Sequence, residues 1–164
     1  MIERIRRRLP ETCHLVFTGV NAYRKYCGLD TLDRVNILDD AAHTQVIEVG
    51  STGILTHTHG NPTLSTVKDR ANWPILSEWL EEKFGRKLEG VKFRLAEVLH
   101  ERVWHDDDTP ESIANRTISA WLKSRDHHAA IIERFACLTG VATVVGERGG
   151  NVRFYCAQTF FSFP

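Results

Sequence analysis

Several things are scarce in this sequence, and each scarcity excludes a class of protein. No apolar run approaches the roughly 20 residues that a membrane-spanning helix needs. There is no net charge, because 21 Lys and Arg offset 21 Asp and Glu. A protein that neutralises many phosphates needs a basic excess, so nucleic acid is not an expected partner. The one basic run, Arg6-Arg7-Arg8, reads as a solvated first helical turn. Cysteine is sparse, with four residues at positions 13, 27, 137 and 156 and no CxxC spacing. That excludes a zinc cluster or a thioredoxin-like centre. An even count permits two disulfides in three pairings, and free buried thiols are the favoured reading. The motifs HExxH, G-x-S-x-G, the P-loop and the dinucleotide glycine pattern are all missing. Near the N-terminus only Leu15, Val16 and Phe17 are consecutively apolar, too short for the core of a signal peptide. The expectation is a chain not exported by that route, or a mature or trimmed form. Localisation stays open.

What is present is an ordinary globular composition, 42% hydrophobic and 26% charged over 164 residues. That suits a single domain over 1–164 with its own core. Val16, Val20, Tyr23 and Cys27 recur at helical spacing and stop at Gly28. Leu38, Ala42, Val46 and Val49 mark a second helix ending near Gly50 and Gly53. Leu76, Leu80 and Phe84 mark a third, opened by Pro74 and closed by Gly85. A fourth opens with Thr109 as N-cap and Pro110 at N1, and carries Ile113, Ile118, Trp121 and Leu122 inward. Strand character appears over 91–99, 141–145 and 152–161, with a hairpin turn at Glu147-Arg148-Gly149-Gly150. Helices that do not alternate with strands, followed by a terminal antiparallel pair, predict a layered α+β sandwich rather than a doubly wound fold.

Eight histidines are present. His57 and His59 flank Thr58, and in an extended segment both would share a face, although an isolated HxH reads first as a polar loop. His127 and His128 are adjacent, so at most one faces a given site. Glu97 is a carboxylate amid apolar strand residues, which is unusual unless it is exposed or paired. Two imidazoles and one carboxylate would make a zinc-type first shell with a position left for water. The run His105-Asp106-Asp107-Asp108 reads as helix capping. Asn115-Arg116-Thr117 is a formal glycosylation sequon in mid-helix and is discounted.

These residues fall in an order that resembles the CAP superfamily of cysteine-rich secretory proteins, antigen 5 and pathogenesis-related proteins, over roughly residues 19–161. Asn21, Arg24, Gly28 and Leu29 match its N-x-x-R…G-L opening. Gly53-Ile54-Leu55-Thr56-His57 is similar to its first cavity histidine segment. Ala96-Glu97-Val98 stands at its G-E-N motif, with two of three residues changed. Thr109-Pro110-Glu111, Trp121, Ser124 and His127 resemble its bacterial T-P-E…W…S…H signature, with Ala130 in place of an asparagine. Gly140-Val141 and Tyr155-Cys156-Ala157-Gln158-Thr159-Phe160 are similar to its closing hairpin. Residues 73–88 read as a helical insertion.

The resemblance implies a three-layer α-β-α sandwich with a C-terminal antiparallel β-hairpin. His57, Glu97, Ser124, His127 and Gln158 would line its cleft. It implies protein partners, sterol or other lipid ligands, or a divalent ion such as zinc on His57, His127 and Glu97. The first reading is a binding or structural module, as a component of a larger assembly such as a virus or phage particle. The alternative is a divalent-metal-dependent hydrolase with Glu97 and His127 as catalytic candidates.

Overall fold

A computed structural model describes residues 2–85 and 87–163 of the chain. Met1 and Pro164, at the ends of the expected domain, and Arg86, within the expected insertion, lie outside the described residues.

The architecture rests on the last strands. β3 (Ala136–Arg148) and β4 (Asn151–Ser162) form a long antiparallel hairpin. Gly149 and Gly150 turn it with φ of 59° and 76°. Two consecutive positive φ values are what a two-residue hairpin loop of matching twist requires, and glycine adopts them without strain. β2 (Arg94–Val103) pairs antiparallel with the other side of β4. A two-residue strand, β1 (Asp33–Arg34), pairs parallel with β3 at Leu138 and Thr139. The sheet order is β1-β3-β4-β2.

Helices cover both faces. On one lie α1 (Ile2–Arg6), α2 (Leu9–Tyr26), α6 (Pro110–Lys123) and α7 (Arg125–Ile131). Their Val16, Val20, Ile113, Trp121 and Ile131 pack on Val98, Val141, Phe154, Cys156 and Phe160. On the other lie α3 (Asn36–Thr52), α4 (Val67–Arg70) and α5 (Trp73–Phe84). There Leu38, Leu76 and Leu80 meet Leu138 and Phe161, and Val46 and Val49 meet Leu99, Tyr155 and Ala157. Alternate residues of β4 thus enter opposite cores, which is why the strand reads as a nearly continuous apolar run. The α-β-α sandwich is the architecture that the sequence implied.

The boundaries shift. The strand expected over 91–99 begins at Arg94, because Gly90 (φ 75°) turns the chain just before it, and it continues to Val103. The strand expected over 141–145 starts at Ala136. On α2 the fully buried line is Val16, Val20 and Arg24 rather than Val16, Val20, Tyr23 and Cys27. Cys27 is the exposed C-cap. All four thiols are free, with Cys13 and Cys156 buried and Cys137 half-buried, so the expectation of buried thiols fails at Cys27. Phe84, expected to point inward, is 38% exposed, but its ring stacks on Phe163 at 5.4 Å.

Two features of the motifs acquire physical reasons. Gly140 sits where β3 passes under the start of α3. A Cβ there would lie 1.9 Å from the Leu38 carbonyl carbon and 2.1 Å from the Asp39 nitrogen, so any side chain would force the helix off the sheet. Thr109 caps α6 as expected: its Oγ1 accepts from Ser112 N at 3.2 Å, and Ser112 Oγ accepts from Thr109 N at 3.0 Å. Asp108 just before it is buried and accepts from His105 N at 2.8 Å and from Arg116 Nη1 at 3.0 Å. The acidic run therefore anchors the helix start.

Candidate functional site

The site is built at the β2 edge of the sheet, where three segments converge. Gly53 ends α3 in the left-handed conformation (φ 67°) and turns the chain back over the helix. The following loop is tied down from α3: Gln45 Nε2 donates to Thr56 O, and Glu48 Oε1 accepts from Gly60 N at 3.1 Å. This places His57 over Glu97. The His57 Nδ1 donates to Glu97 Oε1 at 3.1 Å, and the imidazole side chain remains 55% exposed.

The other oxygen of Glu97 is taken by a residue that the sequence reading did not single out. Arg70 Nη2 donates to Glu97 Oε2 at 2.7 Å, and the two side chains are only 0% and 3% exposed. Arg70 Nη1 also donates to the carbonyls of His57, Leu64 and Ser65, at 3.4, 3.2 and 3.3 Å. One guanidinium thus neutralises Glu97 and staples the His57 loop. The signal for Arg70 was legible: Thr66-Val67-Lys68-Asp69 is a capping-box sequence, and Thr66 and Asp69 form that box at the start of α4. The short helix then delivers Arg70 to β2. His57, Thr58, Ser65, Thr66, Arg70 and Glu97 line an open hollow of about 360 Å³.

His127 comes from the opposite helical layer. Ser124, with extended backbone (φ −90°, ψ 122°), ends α6 and starts α7, and so redirects the chain. Trp121 fixes this corner by donating Nε1–H to Leu99 O at 2.9 Å. The rings of His57 and His127 then meet edge to face, 6.2 Å between centroids. His128 points away and is hydrogen-bonded to Tyr23 Oη at 3.0 Å. His59 also diverges: its Nδ1 accepts from Asn61 N at 3.0 Å, and its Nε2 lies 3.8 Å from Glu48.

His57, Glu97 and His127 are therefore brought together, with Ser124 at the corner that aims the last. Gln158 is not. It stands opposite Val98 in the register, one residue from the partner of Glu97, so it belongs to the other face of the sheet. There it is fully buried and donates to Thr139 Oγ1 at 3.0 Å.

The donor set does not fit the expected zinc shell of His57, His127 and Glu97. Both Glu97 oxygens are engaged, one by a buried cation that a metal would have to displace or repel. Among the described residues no three His, Cys, Asp or Glu side chains converge as ligands.

Burial, with help from the nearby His57, holds His127 below the ordinary imidazole value. His100, on β2, is pushed further, to about 4, by burial first and then by Arg102 and His127. Between pH 6.5 and about 4 the unfolded chain takes up a proton that folded His100 refuses. Stability is complete above that window and falls as the pH falls through it. The expected loss at pH 4.5 is about 2–3 kcal/mol. Urea titrations of wild type and His100→Gln at pH 7 and 4.5 check this: the variant should lose markedly less, whereas an equal loss would assign the acid limb elsewhere.

The sandwich and its edge cleft define a structural class with solved members. An outer surface protein from Borrelia burgdorferi superposes with a TM-score of 0.65 at 19% identity, covering 94% of each chain. An extracellular protein containing a SCP domain from Bacillus anthracis gives 0.57 at 18%, and a cysteine-rich secretory protein from Staphylococcus aureus gives 0.56 at 15%. Each covers 94% of this chain, which spans only 41% and 40% of those two proteins. At such identities the likeness is one of fold. No curated protein matches the sequence. The chain belongs to the CAP, or cysteine-rich secretory protein, family, whose profile matches residues 17–160.

Proposed function

We propose that this chain is a non-catalytic binding module, a single CAP-like domain with α5 as an insertion, that takes a ligand or protein partner at the His57 cleft. One observation carries the reading: the Glu97 carboxylate is buried and already paired with Arg70. A carboxylate held as a charged, doubly bonded acceptor is a poor general base and a poor metal ligand, because either role requires giving up a buried partner. What remains is a mixed lining: the His57 imidazole and the hydroxyls of Thr58 and Ser65 offer hydrogen bonds beside the apolar Val67, Leu95 and Ala96. That lining suits a segment of a protein that carries both polar and apolar groups. Neither the site nor the bacterial relatives support a virus or phage setting, and the proposal carries none.

The test compares wild type with His57→Ala/His127→Ala on two readouts. In zinc calorimetry on chelator-stripped protein at neutral pH, wild type and the double variant should respond alike, with no Glu97-dependent site. Peptide and ester substrates should be turned over by neither. Hydrolysis by wild type that disappears in the double variant would overturn the proposal and restore the metal-dependent hydrolase.

A further inference from the structure

The opposite edge of the sheet is unfinished. β1 pairs with β3 only at Leu138 and Thr139, and the chain then leaves for α3. The next outward-facing position, Val141, is closed by side chains: its N–H donates to Asp39 Oδ1 at 2.7 Å, and its carbonyl accepts from Arg34 Nη2 at 3.2 Å and Cys13 Sγ at 3.1 Å. In an antiparallel pair, backbone groups alternate between the two edges of a strand. Since those of Val141 face outward, those of Thr143 and Val145 do too, and no strand among the described residues pairs with β3 there.

This open edge is the floor of a groove. α1 and the start of α2 form one wall and α3 the other. Two adjoining hollows of about 350 and 460 Å³ share Arg6, Leu9, His43 and Thr143 in their linings. Together they follow β3 from Val141 to Gly146, roughly 17 Å of strand.

We propose that the outer edge of β3 docks one extended peptide segment of a partner protein, which adds to the sheet as a short strand beside residues 143–146, where the outward groups of Thr143 and Val145 are open. Alternating donors and acceptors at the spacing of a strand are matched by another extended backbone. The walls decide that the occupant is a single segment. A second copy would bring its own flanking helices against α1, α2 and α3 and could not reach the floor. The walls also set the side chains. Leu9 and Pro10 on one side and Ile47, 50% exposed, on the other favour aliphatic residues at successive positions, which point alternately to the two walls. This site is independent of the His57 cleft, which lies at the β2 edge.

The probe is a random heptapeptide display library selected on the immobilised full chain. Enriched peptides, made synthetically, are then tested on Val145→Pro and Ile47→Glu. Proline at 145 removes an outward N–H and no ladder bond, but it also removes the contact of Val145 with the core, so its melting point is measured alongside. The expected result is aliphatic alternation in the selected peptides and at least a tenfold loss of affinity on Val145→Pro and on Ile47→Glu. N-methylation of alternate peptide amides should cause the same loss on wild type, which decides the matter should Val145→Pro fail to fold. In wild type the Thr143 and Val145 amides should exchange rapidly when free and become protected when the peptide binds. Equal affinity for wild type and Ile47→Glu would overturn the proposal. So would N-methylated peptides that bind undiminished, or selection that yields no edge-dependent peptide. Amides of Thr143 and Val145 protected in the free chain, with a dimer seen by light scattering, would assign the edge to a second copy instead.

Discussion

Replacing Arg70 with methionine should destabilise the chain by about 3–5 kcal/mol, because it leaves the Glu97 carboxylate charged and uncompensated beneath the surface. The same change releases the carbonyls of His57, Leu64 and Ser65, so the loop that carries His57 should loosen before the sandwich unfolds. The decisive comparison is a double-mutant cycle. Glu97→Leu alone strands the guanidinium, whereas Arg70→Met/Glu97→Leu removes both charges and should recover most of the loss. Urea unfolding of the four proteins measures it. Additive losses would show that the two residues act separately and that the pairing contributes little.

Arg24→Met should cost a similar amount, about 4 kcal/mol, for a different reason. Arg24 is fully buried and has no carboxylate hydrogen-bonded to it. Its Nη1 donates to Ile131 O and Glu133 O at 2.7 and 2.9 Å, its Nη2 to Ala136 O at 3.1 Å, and its Nε to Asp30 O at 2.9 Å. Burial lowers its pKa, yet a guanidinium stays protonated, so the cation is held by the hydrogen-bonded carbonyl dipoles with coulombic support from the Asp30 and Glu133 carboxylates. These carbonyls close α7, begin β3 and shape the turn after α2. Truncating the side chain removes a donor from each of them, although Glu133 O keeps its bond from Ala136 N at 3.2 Å. Arg24→Lys should rescue little, because an ammonium on a shorter fork cannot reach three directions at once. For a chain of this length the loss corresponds to roughly 10–15 °C in melting temperature, read by calorimetry. A fall of under 3 °C would mean that water replaces the guanidinium without difficulty.

These two arginines show where the sequence was readable and where it was not. Arg24 could be placed in a motif but not buried, since helical periodicity assigns apolar residues to the core and says nothing of a charge that carbonyls will solvate. Thr109, Pro110 and the Gly149-Gly150 turn declare their conformations locally, so the α6 start and the β3–β4 hairpin follow from residue types alone. Glu97 announced itself as misplaced in an apolar strand, but its partner is 27 positions away on a one-turn helix, and pairing across such a loop leaves no periodic trace. β1 has two residues and exists only because β3 is beside it. Gln158 entered the cleft set through the family motif, and it stands a single step of strand register from the partner of Glu97, which is enough to exchange one face of the sheet for the other. The meeting of His57 and His127 was legible only through the family resemblance, because it depends on two layers closing over the β2 edge.

The position of the β3–β4 hairpin in the chain has a consequence for synthesis. The two strands at the centre of the sheet are synthesised after every helix of the domain. Every helix from α1 to α7 is made before β3 and β4, although α6 and α7 can already meet α2 and β2. Until residue 136 has emerged, most of the apolar stripes of these helices lack the strands that cover them, and chaperones that shield such stripes have a long substrate. Folding of this domain therefore waits on the hairpin, and both layers condense on it together.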